Sequence, residues 1–216
     1  MSTYNIIYNS LILIAFFISL IAFKEGYKRF GILSVLLLIT SAMELIILYL
    51  IKKDIDFTWL YHSYNLVEYS LLCLFLIGSI KSTAIVRAIK ISIPLFIISG
   101  LSISYFYYRF TGFPGLNINI EGFLLSVICV YILFNLEVLP TGSIFRNYNF
   151  WICSGILIFF GTTFFYNGVY TKIGHLNGNR AVILFSIINR PLNIILYAFI
   201  ITGILCLLTN KRQISQ

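Results

Sequence analysis

Seven apolar runs of bilayer-crossing length follow one another along this chain, near residues 5–23, 30–51, 57–80, 91–108, 118–139, 150–170 and 181–208. A hydrocarbon core about 30 Å thick is crossed by about 20 helical residues. The connections are short, and stretches such as "TGFPGLN" and "HLNGN" carry the Gly, Pro and Asn that make turns. A chain with 60% hydrophobic and 10% charged residues and a mean hydropathy of +0.96 is not an ordinary soluble domain. The sequence predicts an all-α, polytopic transmembrane helical bundle, a single domain over residues 1–216 with seven spans.

The opening "MSTYN" has no basic segment, and no small-residue cleavage pattern follows the first run, so that run reads as a retained helix rather than a signal peptide. Lys and Arg in the loops set orientation. With the N-terminus outside, the inner segments hold Lys24, Lys28, Arg29, Lys81, Arg87, Lys90, Arg146, Lys211 and Arg212, against Lys52, Lys53, Arg109, Lys172 and Arg180 outside. Nine against five gives an N-out, C-in arrangement in a cell membrane, with the bacterial cytoplasmic membrane as the expected one. The formal charge of +8 is then topogenic and directed at membrane lipids. No nucleic-acid partner is expected, because the basic residues are spread over many short loops and form no stripe.

Ionisable residues inside the runs are the chemically informative feature. In the third run Tyr61, Tyr64, Asn65 and Glu68 share a helical face, with His62 and Tyr69 flanking it. In the second run Thr40, Ser41 and Glu44 share a face, and in the seventh Ser186, Asn189, Arg190, Asn193 and Tyr197 do so. The sixth run offers Thr163, Tyr166, Asn167 and Tyr170, and the fifth Glu121, Tyr131 and Asn135. A charge at the middle of a span costs about 2.5–3.5 kcal/mol, so Glu44, Glu68 and Arg190 are expected to approach one another. Asn65, Asn189 and Asn193 would satisfy the remaining donors and acceptors. Together with His62 and Tyr197 these form the expected ligand-binding or proton-sensitive set. The competing reading is that polar side chains between spans serve as packing contacts. Pro191 removes a backbone N–H within the seventh stripe and predicts a kink there.

No cofactor, metal site or catalytic residue emerges. Cys73, Cys129, Cys153 and Cys206 lie in apolar runs without C-x-x-C spacing and read as small hydrophobes. His62 and His175 read as interfacial. All eight lysines lie in loops or near run ends, which excludes retinal held as a Schiff base. The three histidines of ceramidase-type zinc hydrolases and the Gly-x-Ser-Gly of intramembrane serine proteases are missing.

The segments "YHSYNLVEY", "FWICSGILIFFGTTFF" and "PLNIILYAFIITGIL" give the chain a pattern that resembles uncharacterised multi-helix membrane proteins of Bacteroidetes-type bacteria, some regions of which are similar to membrane sensor modules that precede histidine kinases. The chain departs from that pattern by closing on "NKRQISQ", so any output is expected to pass to a separate signalling partner or a homo-oligomer. Two readings lead. One is a sensory or receptor-like bundle binding a small or lipid-like ligand. The other is a transporter or oligomeric pore that uses the same residues for a proton, ion or anion. An intramembrane enzyme is the weakest reading, because no nucleophile accompanies the acids.

Overall fold

The computed structural model describes residues 3–136, 143–176 and 178–214. Among these the chain is all helical: α1 (Thr3–Lys24), α2 (Arg29–Lys52), α3 (Thr58–Leu76), α4 (Thr83–Phe106), α5 (Gly115–Phe134), α6 (Tyr148–Leu176) and α7 (Gly178–Ile214), with single 3-10 turns at Ile77–Ser79 and Ile144–Arg146. Six of the seven are long and apolar enough to cross a membrane. The exception is α3, whose 19 residues include His62, Asn65 and Glu68 and are correspondingly less apolar.

Two helix starts precede the apolar runs that reveal them. Helix α4 begins at Thr83, where the Ser82 side chain accepts the Ile85 N–H and caps a first turn. The following turns carry Arg87 and Lys90, so hydropathy alone does not register them. Helix α5 begins at Gly115, directly after Pro114, whose carbonyl accepts the Ile118 N–H. It ends at Phe134; the final residues of the expected run, 137–139, lie outside the described residues.

The chain divides into two compact units, Ser19–Glu121 and Met1–Ile18 with Gly122–Gln216. In the first, α2 and α4 both pack on α3. Helix α3 buries His62, Asn65, Leu66, Tyr69, Leu72, Cys73, Phe75 and Leu76. The spacing of three and four residues makes one continuous inward stripe, polar in its first half and apolar in its second. Phe30, Leu33 and Leu37 of α2 are buried too, and Ser19 and Ser34 share a hydrogen bond of 2.7 Å. The apolar end is closed by Arg29, whose guanidinium donates to Ser79 Oγ at 2.6 Å and lies 5.7 Å from the ring centres of Phe30 and Phe75.

In the other unit, α6 and α7 pack closely because small residues face the partner backbone. A Cβ at Gly155 would lie 2.7 Å from Phe199 Cβ, and one at Gly203 would lie 3.0 Å from the Tyr148 carbonyl. Helix α1 meets α7 through an edge contact of Tyr8 with Tyr197, 5.7 Å between ring centres. Tyr8 and Tyr166 are both buried. Helix α7 continues through Pro191.

Candidate functional site

The polar half of the α3 stripe meets α4 and the first turns of α5. His62 is 1% exposed and thus buried rather than interfacial. Its Nδ1 lies 2.8 Å from Ser104 Oγ on α4 and its Nε2 lies 2.8 Å from the Gly112 carbonyl in the α4–α5 connection. A carbonyl only accepts, so Nε2 carries the hydrogen, and in the neutral ring Nδ1 accepts from the Ser104 hydroxyl. Ser104 Oγ in turn accepts from Asn117 Nδ2 at 3.0 Å, and the same amide reaches the Gly100 carbonyl at 3.1 Å. One hydrogen-bonded chain thus joins α5, α4, α3 and the connection.

That connection is strained where His62 holds it. Arg109 and Phe110 have φ of 50° and 58°, consecutive non-glycine residues in the left-handed region. Such conformations cost about 1–3 kcal/mol each and persist where surrounding contacts fix them. The rings of Tyr108 and Phe110, centred 5.7 and 5.4 Å from that of His62, and the Nε2 bond to Gly112 supply those contacts.

The buried acid of this region is Glu121, 1% exposed, on α5 one turn beyond Asn117. Neither of its carboxylate oxygens has a hydrogen-bond partner, and the same is true of Asn117 Oδ1 and Asn65 Nδ2. Buried polar atoms are nearly always paired, so four orphans in one region are unusual. Glu121 lies close enough to Glu68, Tyr69 and Cys73 of α3 for their charges to interact. The Lys and Arg residues of 19–121 are exposed, apart from half-buried Arg29 at the far end. This interior is acidic without a buried basic side chain of its own.

The expected site residues are divided between the two units. Asn65 is buried as expected. Glu68 lies half-buried at the edge of the stripe, 3.1 Å from Tyr64 Oη, to which it is an acceptor when ionised. Tyr64 Oη is 2.7 Å from Thr40 Oγ1 of α2. Glu44 is also half-buried and is near enough to Tyr61 to interact electrostatically. On α3 the residues turned furthest inward are His62, Asn65 and Tyr69, with Glu68 one residue round from them.

Arg190 is exposed rather than buried, with its guanidinium 5.1 Å from the centre of the Tyr4 ring. Asn193 Nδ2 donates to the Asn189 carbonyl at 2.9 Å, and Tyr197 is buried against Tyr8. Arg190, Asn189, Asn193 and Tyr197 belong to one unit and Glu44 and Glu68 to the other. The side chains of Asn167, Tyr170, His175 and Ser186 lie outside the described residues.

Sequence reasoning gave Glu121 no role, and Asn117 and Ser104 none at all. The available signal was the one-turn spacing of Asn117 and Glu121, two polar residues on one face of an apolar helix. Comparison with protein-family models, with curated proteins and with solved structures finds no match for this chain.

Proposed function

We propose that this multi-pass membrane protein is a sensory or receptor-like bundle that binds a small ligand within the α3–α4–α5 polar interior, at Asn65, Glu68, Asn117 and Glu121. The observation that carries this reading is Glu121, a buried carboxylate with both oxygens unpartnered. An ionisable group placed in this way marks a ligand or ion path more often than a packing contact. The ligand therefore brings positive charge or hydrogen-bond donors. Signal leaves through a separate partner or a second copy of the chain, and the site's link to the α4–α5 connection through His62 gives it a way out.

Seven crossings, N-out and C-in, form part of the proposal. The pairs Tyr4–Arg190 and Tyr8–Tyr197 advance together along α1 and α7, so these two helices run parallel. If the other helices cross in turn, parallel first and last helices require an odd number of crossings, and α3 supplies the seventh. The loop charges give the sidedness.

The test is ligand-specific stabilisation of the full chain in nanodiscs, screened over small amines, metabolites and lipids, with Glu121→Gln and Glu68→Gln in parallel. Stabilisation lost in Glu121→Gln supports the proposal; equal stabilisation in wild type and both variants sinks it. A second reading is a transporter or pore for protons or cations, which the buried acid favours over an anion path. Dissipation of an imposed proton or sodium gradient in proteoliposomes would establish it in place of a sensor.

A further inference from the structure

The unpartnered atoms of this interior are Asn65 Nδ2, Asn117 Oδ1 and both oxygens of Glu121. With Glu121 ionised, the Asn65 amide brings two hydrogens to three acceptors, and one acceptor is always left over. A proton on Glu121 changes the count, because a carboxylic acid is one donor and one acceptor. The donors then suffice for every acceptor.

The placement of Asn117 shows where that proton points. The Gly100 carbonyl accepts only, which fixes the amide with Nδ2 toward α4 and Oδ1 turned away from it. Helical side chains lean back over the preceding turn, and residues four apart are neighbours on one face. The Glu121 side chain therefore reaches back toward Asn117 Oδ1. Between two acceptors side by side, only a hydrogen on one of them makes a bond. Glu68 adds to this, since it accepts from the Tyr64 hydroxyl and its charge interacts with that of Glu121. A second negative charge beside it is disfavoured where no buried base lies between.

From these placements we infer that Glu121 holds a proton and donates it to Asn117 Oδ1, and that this proton controls how firmly His62 holds the α4–α5 connection. The coupling runs through one amide. With the proton in place, Asn117 Nδ2 donates to Ser104 Oγ, the Ser104 hydroxyl donates to His62 Nδ1, and His62 Nε2 donates to the Gly112 carbonyl. When the proton leaves, the carboxylate attracts Nδ2 and repels Oδ1, and the amide turns over. Its Oδ1 then faces Ser104 and takes the hydroxyl hydrogen that His62 Nδ1 had accepted. His62 keeps one hydrogen bond of two beside Arg109 and Phe110, whose backbone needs holding. The titratable groups that face Glu121 are Glu68, Tyr69 and Cys73, all on α3. The buried face of α4 carries Ile89, Phe96, Gly100 and Ser104, none of which ionises, and α6 presents Phe160 to Gly122, the next residue along α5. The inference rests on the reading of this polar interior as a binding site and supplies its regulation: a ligand that brings positive charge or donors to Glu121 displaces the proton and acts on the same chain of bonds.

The experiment is infrared spectroscopy of the full chain in maltoside micelles, which have no ester carbonyl, in H2O and D2O at neutral pH. We expect a carboxylic acid C=O band above the amide I region that moves down in D2O, disappears in Glu121→Gln and stays in Glu68→Gln. No such band in the wild type overturns the inference, as does a band that survives in Glu121→Gln. Should Glu121→Gln fail to fold, Glu44→Gln and Glu68→Gln decide, since these two and Glu121 are the acids within the described helices. A band kept in both supports the inference, and its loss in either overturns it. The coupling is read by amide protection at 107–113, corrected for intrinsic exchange. It should fall several-fold relative to residues 150–160 of α6 as alkali removes the band, and stay level in Glu121→Gln, whose amide keeps a donor for Asn117 Oδ1. Protection that stays level in the wild type while the band is lost overturns the control of His62. A chain with Glu121 ionised at neutral pH that still shows Glu121-dependent stabilisation by an organic amine loses the proton and keeps the site. Absence of both removes the site as well.

Discussion

Where α6 meets α7, Gly155 and Gly203 leave no room for a Cβ, and contact is made by close-packed backbone and Ile, Leu and Phe side chains. Where α3 meets α4 and α5, contact is made through His62, Ser104 and Asn117, with Gly100 beside Leu66 as the one close glycine approach. Lipid gives apolar helices no solvent-driven reason to associate, so packing and hydrogen bonds must supply one. The two regions use one means each. A glycine seam asks only for shape and carries no charge to be neutralised. A polar seam leaves atoms over when its partners do not match in number, and in this protein those atoms gather at Asn65, Asn117 and Glu121. That difference is the reason the proposed binding role falls on α3, α4 and α5.

The sharpest way to break the comparison is bulk at the glycine seam. Gly203→Val places a branched side chain against the Tyr148 carbonyl and Ile152, where a backbone atom at 3.0 Å cannot swing away. Overpacking of this kind costs about 3 kcal/mol at the upper end of the usual range. We expect the largest loss of stability among the variants considered, read by unfolding of the full chain in mixed micelles. A loss no greater than that of a lipid-facing substitution such as Leu205→Ala would show that the seam is looser than described.

His62→Ala attacks the polar seam. It removes two hydrogen bonds and strands the Gly112 carbonyl, at a cost of about 2 kcal/mol. The readout that separates it from a general packing defect is local. Amide exchange should rise most at 107–113, where Arg109 and Phe110 need holding, and uniform acceleration over the whole chain would refute the latch. Thr40→Val is milder. It removes both hydrogen bonds of the Thr40 hydroxyl, to Tyr64 Oη and to the Leu36 carbonyl, and about 1 kcal/mol is expected because that carbonyl keeps its backbone partner in the helix. Glu68→Gln keeps an acceptor for the Tyr64 hydroxyl, so it should be tolerated better than Glu68→Leu; the reverse order would show that this bond contributes nothing.

Much of the fold was legible in the sequence because bilayer thickness fixes helix length, and hydropathy reports it directly. The polar face of α3 was legible for a similar reason, since periodicity in one helix orders residues around its own axis. Which part of that face turns inward is set by neighbours. The one-residue rotation from Glu68 toward His62 and Tyr69 follows from Ser104 and Gly112, whose sequence distance from His62 no period encodes. The exposure of Arg190 was not legible for the same reason, since its contact with Tyr4 of α1 is made across nearly the whole sequence. Glu121 was underestimated because its partner in position, Asn117, sits in the polar turn that opens α5 and was read as loop.

The smallest effect lies outside the membrane, at the start of α3, and it tests whether the polar seam is anchored from its loop. Asp56 is exposed and accepts from the Thr58 N–H at 3.0 Å and the Thr58 hydroxyl at 2.8 Å. These donors, the backbone one foremost, hold its carboxyl below the usual carboxylate value. A carboxylate with a depressed folded pKa contributes stability that is fully present above its unfolded value of about 4. That stability fades as pH falls from there through the lower folded pKa. The difference in unfolding midpoint between wild type and Asp56→Ala should therefore be constant at neutral pH and shrink on acidification below about pH 4. Thr58→Val, which removes the hydroxyl but leaves the backbone donor, should keep most of that pH dependence. Full loss in Thr58→Val would assign the effect to the hydroxyl. That hydroxyl also reaches the Thr111 carbonyl at 3.2 Å, next to the residue His62 holds, and the end of α3 and the strained connection would then respond to acid together.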